Sequence, residues 1–475
     1  MDSMTSLFEP RSIAVIGATV TEGKSGYFLL ANLIKNGYKG KVYPINPNMT
    51  EAFGCKAYAT ILDVPDEIDL AFVSIPGQFV KDTLIQCAQK GIKSVVIVSA
   101  GFGEVGGEGI KEQKDLEELV RRTGVRCVGP NTVGLVNVQK NFFGSFVPFE
   151  NWLNGPVAIG AQSGIFAGAL AHELMHMKTQ RIGICKSLSL GNMMDIDETD
   201  FLEYASKDPS CKVIAFYLER IKRPRPFLAL ANKVKREKPI IVLKSGRTDY
   251  GAKAALSHTG SLAIKDHLVD LSFRQYGIIR TYTLQEFVGT LRAFSYQPLP
   301  CGNRIGVITY SGANGVMASD EIYEAGLKLA EFKEETLGRI RNIMPQWQPV
   351  RNPADLWVGL GVGRNKIVYE ESMNAVLEDE NVDVLLCLLL GLPNSDASEI
   401  REVFFNAMQA HPKKPILVGI IGGAVKERWT EELEGLNLPI YPDTSLAVKA
   451  IKAMHAYYTI RDHETLSPLM GPERV

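Results

Sequence analysis

Short runs of Val, Ile and Leu, each closed by Gly or Pro, alternate along this chain with amphipathic stretches of helical length, the pattern of parallel strands joined by crossover helices. A first series of apolar runs predicts strands from Ser12 to Gly17, Lys41 to Ile45, Asp69 to Ile75 and Lys93 to Ser99. A second predicts Pro156 to Ala161, Arg181 to Ser187, Lys212 to Tyr217 and Pro239 to Lys244. The third reads Arg304 to Thr309, Val382 to Leu389 and Pro415 to Ile420, with helices from Asn365 to Leu377 and Ala397 to Ala410 between strands. Periodicity lapses where Pro, Gly and Asn gather, around Phe143 to Gly155 and again around Tyr296 to Asn303. The fold class expected is α/β, with three Rossmann-like or flavodoxin-like parallel-sheet domains in one chain. Their bounds are residues 1–145, 146–300 and 301–463, followed by a C-terminal tail, 464–475.

A length of 475 residues leaves room for three cores of roughly 150 residues each. At 45% hydrophobic residues, with 43 Gly and 24 Pro, the chain is a turn-rich globular protein and not a disordered one. Lys plus Arg number 52 against 53 for Asp plus Glu, so the net charge of -1 supplies no basic field for nucleic acid or an acidic membrane and points to a small-molecule enzyme. Seven scattered cysteines (Cys55, Cys87, Cys127, Cys185, Cys211, Cys301, Cys387) form no C-x-x-C pair, which fits reduced thiols and a cytoplasmic location. Met1 to Arg11 lacks an apolar signal core, and the most apolar stretch, Val382 to Leu392, is too short to cross a bilayer.

The first predicted strand ends in Gly17-Ala18-Thr19 and a helix resumes near Ser25, so the loop Val20 to Lys24 aims backbone N–H groups and a helix N-terminus at one point, an anion site by geometry. Ala18-x4-Gly23-Lys24-Ser25 also satisfies a loose form of the phosphate loop of NTPases. Against NTP hydrolysis, the neighbouring strands close in Ile75-Pro76-Gly77 and Ala100-Gly101, without a metal-binding Asp, and a nucleotide-containing cofactor is favoured. His172-Glu173-Leu174-Met175-His176 reads H-E-x-x-H, yet Met177 to Arg181 bring no third ligand. Two polar residues on a surface helix, and no metal, are expected there.

His258 stands among small residues in Ser257-His258-Thr259-Gly260-Ser261-Leu262-Ala263, read as a loop ahead of a further helix. A neutral imidazole can accept and release a phosphoryl group when an acceptor holds its second nitrogen, and Glu219, closing a predicted strand, could be that acceptor. Spacing alone leaves a capping or packing histidine equally open. Two further turns, Ala161-Gln162-Ser163-Gly164 and Tyr310-Ser311-Gly312-Ala313-Asn314-Gly315, each follow a strand and open a helix. Two such helix N-termini meeting at one point could stabilise a phosphohistidine.

In order along the chain, these pieces resemble the alpha subunit of the ADP-forming acetyl-CoA synthetases, split relatives of succinyl-CoA synthetase. The matching residues are Ser12-Ile13-Ala14-Val15-Ile16-Gly17-Ala18, Gly23-Lys24-x-Gly26-Tyr27, Tyr43-Pro44-Ile45-Asn46-Pro47, Ser99-Ala100-Gly101-Phe102, Gly129-Pro130-Asn131, Gln162-Ser163-Gly164, Ser189-Leu190-Gly191-Asn192, Tyr217-Leu218-Glu219, the Ser257 to Ala263 run and Asn352-Pro353-x-Asp355. The resemblance implies that the first domain binds coenzyme A through Gly17, Ala18, Thr19, Lys24, Gly26, Asn46, Pro47, Ile75, Pro76, Ala100, Gly101 and Asn131. It implies that His258 carries the phosphoryl group with Glu219 as its orienting partner, and that Gln162, Ser163, Gly164, Gly312, Ala313, Asn314 and Gly315 stabilise it. Acyl-CoA, phosphate and ADP would give acid, CoA and ATP, with acetate or a related small acid as the acyl group. Mg and ADP or ATP would bind on a separate ATP-grasp beta subunit in an alpha2beta2 assembly. The chain departs from the family pattern at Thr132-Val133, Ile165-Phe166, Ile264-Lys265 and Ser311 to Gly315. The competing readings are a non-catalytic CoA- or acyl-CoA-sensing subunit, a phosphate-loop NTPase, and an NAD-dependent dehydrogenase. The last is disfavoured because the second strand ends in Ile45-Asn46-Pro47, with no acidic residue for a ribose.

Overall fold

The computed structural model describes residues 3–150, 152–176, 179, 181–259, 265–360, 364–391, 397–422 and 424–462. They form two compact units, one of Met1–His176 with Ile182–Tyr282 and one of Met177–Arg181 with Thr283–Val475.

The first unit holds two sheets. In one, five parallel strands lie in the order Lys41–Ile45, Ser12–Ile16, Leu70–Val73, Ser94–Ile97, Arg126–Val128. The strands Ser12–Ile16, Leu70–Val73 and Ser94–Ile97 are buried along their whole length, as expected where both faces are covered, and this is why they read as unbroken apolar runs. From Ser12–Ile16 the chain passes to one side and then to the other, so a switch point opens a crevice at the carboxyl ends of the strands.

The second sheet has seven strands. Ile279–Thr281, Ile240–Lys244, Val213–Leu218, Val157–Ala161 and Ile184–Ser189 run parallel, and the antiparallel pair Gly134–Asn137 and Phe142–Ser145 completes the far edge. Its switch point lies between Val157–Ala161 and Val213–Leu218. The boundary expected after residue 145 leaves Gly134–Asn137 and Phe142–Ser145 with the first domain, whereas they hydrogen-bond into the second sheet. Cross-strand pairing with Lys186, Ser187 and Leu188 decides their membership, and local periodicity does not carry that information. The helix Ser25–Lys35 packs on this added edge, where Asn32 Nδ2 donates to the carbonyls of Ser145 (2.6 Å) and Val147 (2.7 Å). The two sheets thereby share one compact unit.

The second unit is built on a six-stranded sheet in the order Lys328–Leu329, Arg304–Thr309, Val384–Leu390, Ile416–Ile421, Ile440–Tyr441, with Ala354–Asp355 beside the end of Arg304–Thr309. The helices Asn365–Glu378 and Ala397–Ala410 pack on each other, and fully buried Trp429 and Phe404 fill the same cluster. Among the described residues no helix is long and apolar enough to cross a membrane.

Candidate functional site

At the first switch point two glycines set the geometry. Gly17 leaves its strand at φ +87°, and a Cβ there would stand 2.1 Å from the Ser74 carbonyl oxygen. A Cβ on Gly26 would stand 2.1 Å from the Gly17 carbonyl oxygen, so the first turn of Ser25–Lys35 sits directly on the strand end. Asn46 Nδ2 donates to the Ala18 carbonyl at 2.7 Å, and Thr19 Oγ1 accepts from Thr21 N at 3.1 Å, which hold the loop open. Lys24 is exposed in extended conformation at the helix N-cap. Pro47, Pro76, Ala100, Gly101 and Asn131 are exposed along the same carboxyl edge, with Ile75 half-buried among them. Ser25 Oγ lies 2.6 Å from Ser74 Oγ. Its hydroxyl is thus spent inside the fold, at the position where a phosphate loop would present it to a metal ion.

The second switch point gathers Gln162, Glu219 and Lys244, each at or just past a strand end. Gln162 is buried and points inward: its Oε1 accepts from the Glu219 N–H and, at 2.9 Å, from the Arg220 N–H. Its side chain thereby pins the backbone of the candidate acceptor. Buried Glu219 receives the Tyr217 hydroxyl on its carboxylate at 3.3 Å and the Lys244 ammonium on its carbonyl at 2.7 Å. Tyr217 stacks on Phe166 with ring centroids 3.8 Å apart. Ser163 and Gly164 are half-buried at the start of a π-helical turn, Ile165–Ala169, which runs into the helix Leu170–His176. In that helix His172 Nε2 accepts from Glu150 N at 3.4 Å and its ring meets Phe149 edge-on, so the imidazole is engaged in packing.

His258 does not stand in a loop. Ser257, His258 and Thr259 are the last residues of a helix, Asp249–Thr259, because the run from Gly251 to Leu256 is rich in Ala, the strongest helix former, behind an acidic first turn. Gly260 to Ile264, the remainder of the expected loop, lie outside the described residues. The helix Asp249–Thr259 packs against the turn Gly103–Val105, which follows Ala100 and Gly101 of the first crevice. Sequence reasoning assigned nothing to the residues that tie the crevices together. Glu104 accepts from Gly101 N at 2.6 Å and from Asn192 Nδ2 at 2.5 Å, and Asn192 also donates to Gln113 Oε1 at 2.9 Å. Burial works to raise the Glu104 carboxyl, but these hydrogen bonds outweigh it and hold its pKa below the usual range. Asn131, in a left-handed conformation at φ +61°, reaches the same Asn192 at 3.5 Å. The Ser189-Leu190-Gly191-Asn192 match was the one available signal for this junction.

In the second unit Ser311 is the N-cap of the helix Gly312–Glu324, with Gly312 and Ala313 exposed. Asn314 Oδ1 accepts from Thr444 Oγ1 at 3.4 Å, and buried Gly315 lies so close to Pro353 that a Cβ would approach its ring to 3.1 Å. A Cβ on Gly312 would stand 3.0 Å from Asp355 Oδ2. The Asn352-Pro353-x-Asp355 segment therefore backs this turn.

Residues 11–137 match the CoA binding domain family, and residues 154–294 the succinyl-CoA ligase like flavodoxin domain family. The chain is 39% identical over 437 residues to the alpha subunit of ADP-forming acetate–CoA ligase II of Pyrococcus furiosus, covering 91% of this chain and 93% of that one. It is 38% identical over 457 residues to ADP-forming acetate–CoA ligase II of Archaeoglobus fulgidus, covering 96% of this chain and 67% of the relative. The solved structure of dinucleotide forming acetyl-coenzyme A synthetase 1 of Candidatus Korarchaeum cryptofilum, in complex with phosphate and ADP, superposes with a TM-score of 0.90 at 33% identity over 97% of this chain and 98% of that chain. Such identity across nearly its whole length settles the relationship: the chain belongs to the ADP-forming acetate–CoA ligase family, as a counterpart of its alpha subunits.

Proposed function

We propose that this chain is the CoA-binding, phosphohistidine-bearing subunit of an acid–CoA ligase that forms ATP from ADP. One observation carries the reading: the helix bearing His258 packs against the turn Gly103–Val105, so the candidate phosphoryl carrier is built onto the loop that edges the candidate coenzyme site. The two crevices are then successive stations of one reaction. In the first step a phosphate oxygen attacks the thioester carbonyl, the C–S bond breaks, and the CoA thiolate leaves and takes a proton. A His258 ring nitrogen then attacks phosphorus, the P–O bond to the acyl group breaks, and the carboxylate departs with the bonding pair. The proton stays on the other ring nitrogen, where the Glu219 carboxylate stabilises the resulting positive charge.

Gly17 and Gly26 leave room for backbone N–H groups to approach the coenzyme phosphates, with Lys24 supplying a charge-assisted contact. The turn at Ser163 supplies a helix N-terminus to the phosphoryl group. A partner subunit with an ATP-grasp fold would hold Mg and ADP, in an alpha2beta2 assembly, and a small acid such as acetate would be the product. This is supported by relatives that are themselves named as alpha subunits, in Pyrococcus furiosus. The test is ATP formation from acetyl-CoA, ADP and phosphate. The isolated chain should form none and should do so once the partner is added, whereas turnover by the chain alone would reject the division of labour.

A further inference from the structure

Lys244 ends the strand Ile240–Lys244 beside Leu218, in register with the strand that presents Glu219. Its side chain is buried, 7% exposed, and its ammonium donates to the carbonyls of Glu219 (2.7 Å) and Ser245 (2.5 Å). Among the described residues no carboxylate pairs with it, which is unusual for so buried a cation. The charged groups around it are Arg280 on the adjacent edge strand, Asp266 at the start of the next helix, and Glu219; Arg280 is already paired with Asp266 and, at 3.6 Å, with Asp270. Among the described residues, the Tyr217 hydroxyl, 3.1 Å from Ser245 Oγ, is a further titratable neighbour.

Beside the ammonium lies Gly246, at φ +70°. A Cβ built there would stand 3.9 Å from Lys244 Nζ on one side and 3.6 Å from Ala255 Cβ on the other. Ala255 belongs to the helix Asp249–Thr259, and position 258 lies one turn further along the same helix face. The unpaired cation, the side-chain-free residue beside it and Ala255 of the helix that carries His258 therefore adjoin one another.

We infer that Lys244 is a positioning residue of the phosphoryl site, tying Glu219 in place through its carbonyl and supplying the positive charge that a phosphoryl group on His258 needs. This rests on His258 being the carrier. An arriving phosphate dianion gives the buried ammonium the direct ion-pair partner that it lacks among the described residues. Burial first, and then Arg280, push the free ammonium down to about 8, against Asp266 and Glu219, so the charge is exchangeable near physiological pH until the anion arrives.

The test uses the full chain with acetyl phosphate carrying labelled phosphorus as the probe, and reads the fraction of protein labelled at equilibrium. Lys244→Met should lower labelling by about tenfold or more, the scale of one hydrogen bond to a charged group, while CoA affinity stays within about twofold. Lys244→Arg should restore most of it. In the parent, labelling should fall as pH rises well above about 8, whereas Lys244→Arg stays flat because guanidinium keeps its proton. If Lys244→Met does not fold, this contrast between parent and Lys244→Arg decides alone. Equal labelling of parent and Lys244→Met, or identical pH profiles for parent and Lys244→Arg, overturns the role of Lys244 and leaves the phosphohistidine standing. No label in the parent overturns both.

Discussion

Replacing Gln162 by Leu keeps a side chain of similar length in the pocket and removes the acceptor that serves two backbone amides. The Glu219 N–H is buried, so leaving it without a partner costs about 1–3 kcal/mol; the Arg220 N–H, bonded at 2.9 Å and partly reached by water, costs about 0.5–1.5 kcal/mol. The sum is about 1.5–4.5 kcal/mol. With a urea m-value of about 3 kcal/mol/M for a unit of this size, the unfolding midpoint should fall by about 1 M. Because the bonds lost are the ones that place Glu219, turnover at a urea concentration where the variant is fully folded should fall by at least about tenfold. Gln162→Glu keeps an acceptor and should recover most of the stability, while its added charge beside Glu219 keeps turnover low. A midpoint that moves by less than about 0.2 M, with turnover unchanged, would refute the assignment of Gln162 as the support of Glu219.

Gly26→Ala should weaken CoA at least about tenfold by calorimetry, since its methyl would stand 2.1 Å from the Gly17 carbonyl and must push the turn away from the coenzyme; unchanged affinity would remove this turn from the site. Lys24→Ala should weaken CoA by about 1.5–3 kcal/mol, and Lys24-dependent ATP binding without CoA binding would favour the phosphate-loop reading instead. Burial, with Asp197 second, raises the Glu198 carboxyl from 4.5 to about 7, so the folded chain retains a proton that the unfolded chain releases in this range. This contribution is complete below about pH 4.5 and is lost by about pH 7, some 3 kcal/mol in all. Glu198→Gln, which keeps an acceptor for Lys222 N at 2.8 Å, should therefore match the parent near pH 4 and exceed its stability near pH 8; superimposable urea curves at both pH values would contradict it.

Much of this fold was legible because buried parallel strands need no polar face. Arg304–Thr309 and Ala397–Ala410 fall where the apolar pattern placed them. The short strands Arg126–Val128, Gly134–Asn137, Phe142–Ser145 and Ile279–Thr281 were not legible: they are three or four residues long, and their place depends on partners far away in sequence. The helix Asp249–Thr259 was hidden by its Gly, Ser and Thr, which read as a loop although the alanines between them favour the helix. In the site, Gly17 and Gly26 were readable because close backbone approach admits only glycine. Lys244 was not, because a lysine at a strand end ordinarily reads as solvated, and only the fold shows that it is buried. Glu104 and Asn192 find each other across a separation of 88 residues, which no local pattern records.

In the proposed reaction His258 receives the phosphoryl group. Incubating the full chain with acetyl-CoA and labelled phosphate, digesting it, and mapping the label by mass spectrometry under neutral to alkaline conditions tests this directly. One acid-labile, base-stable label should appear on the peptide that contains His258 and be absent from His258→Ala, whose CoA affinity is unchanged. Label on another residue, or label that survives in His258→Ala, would contradict it.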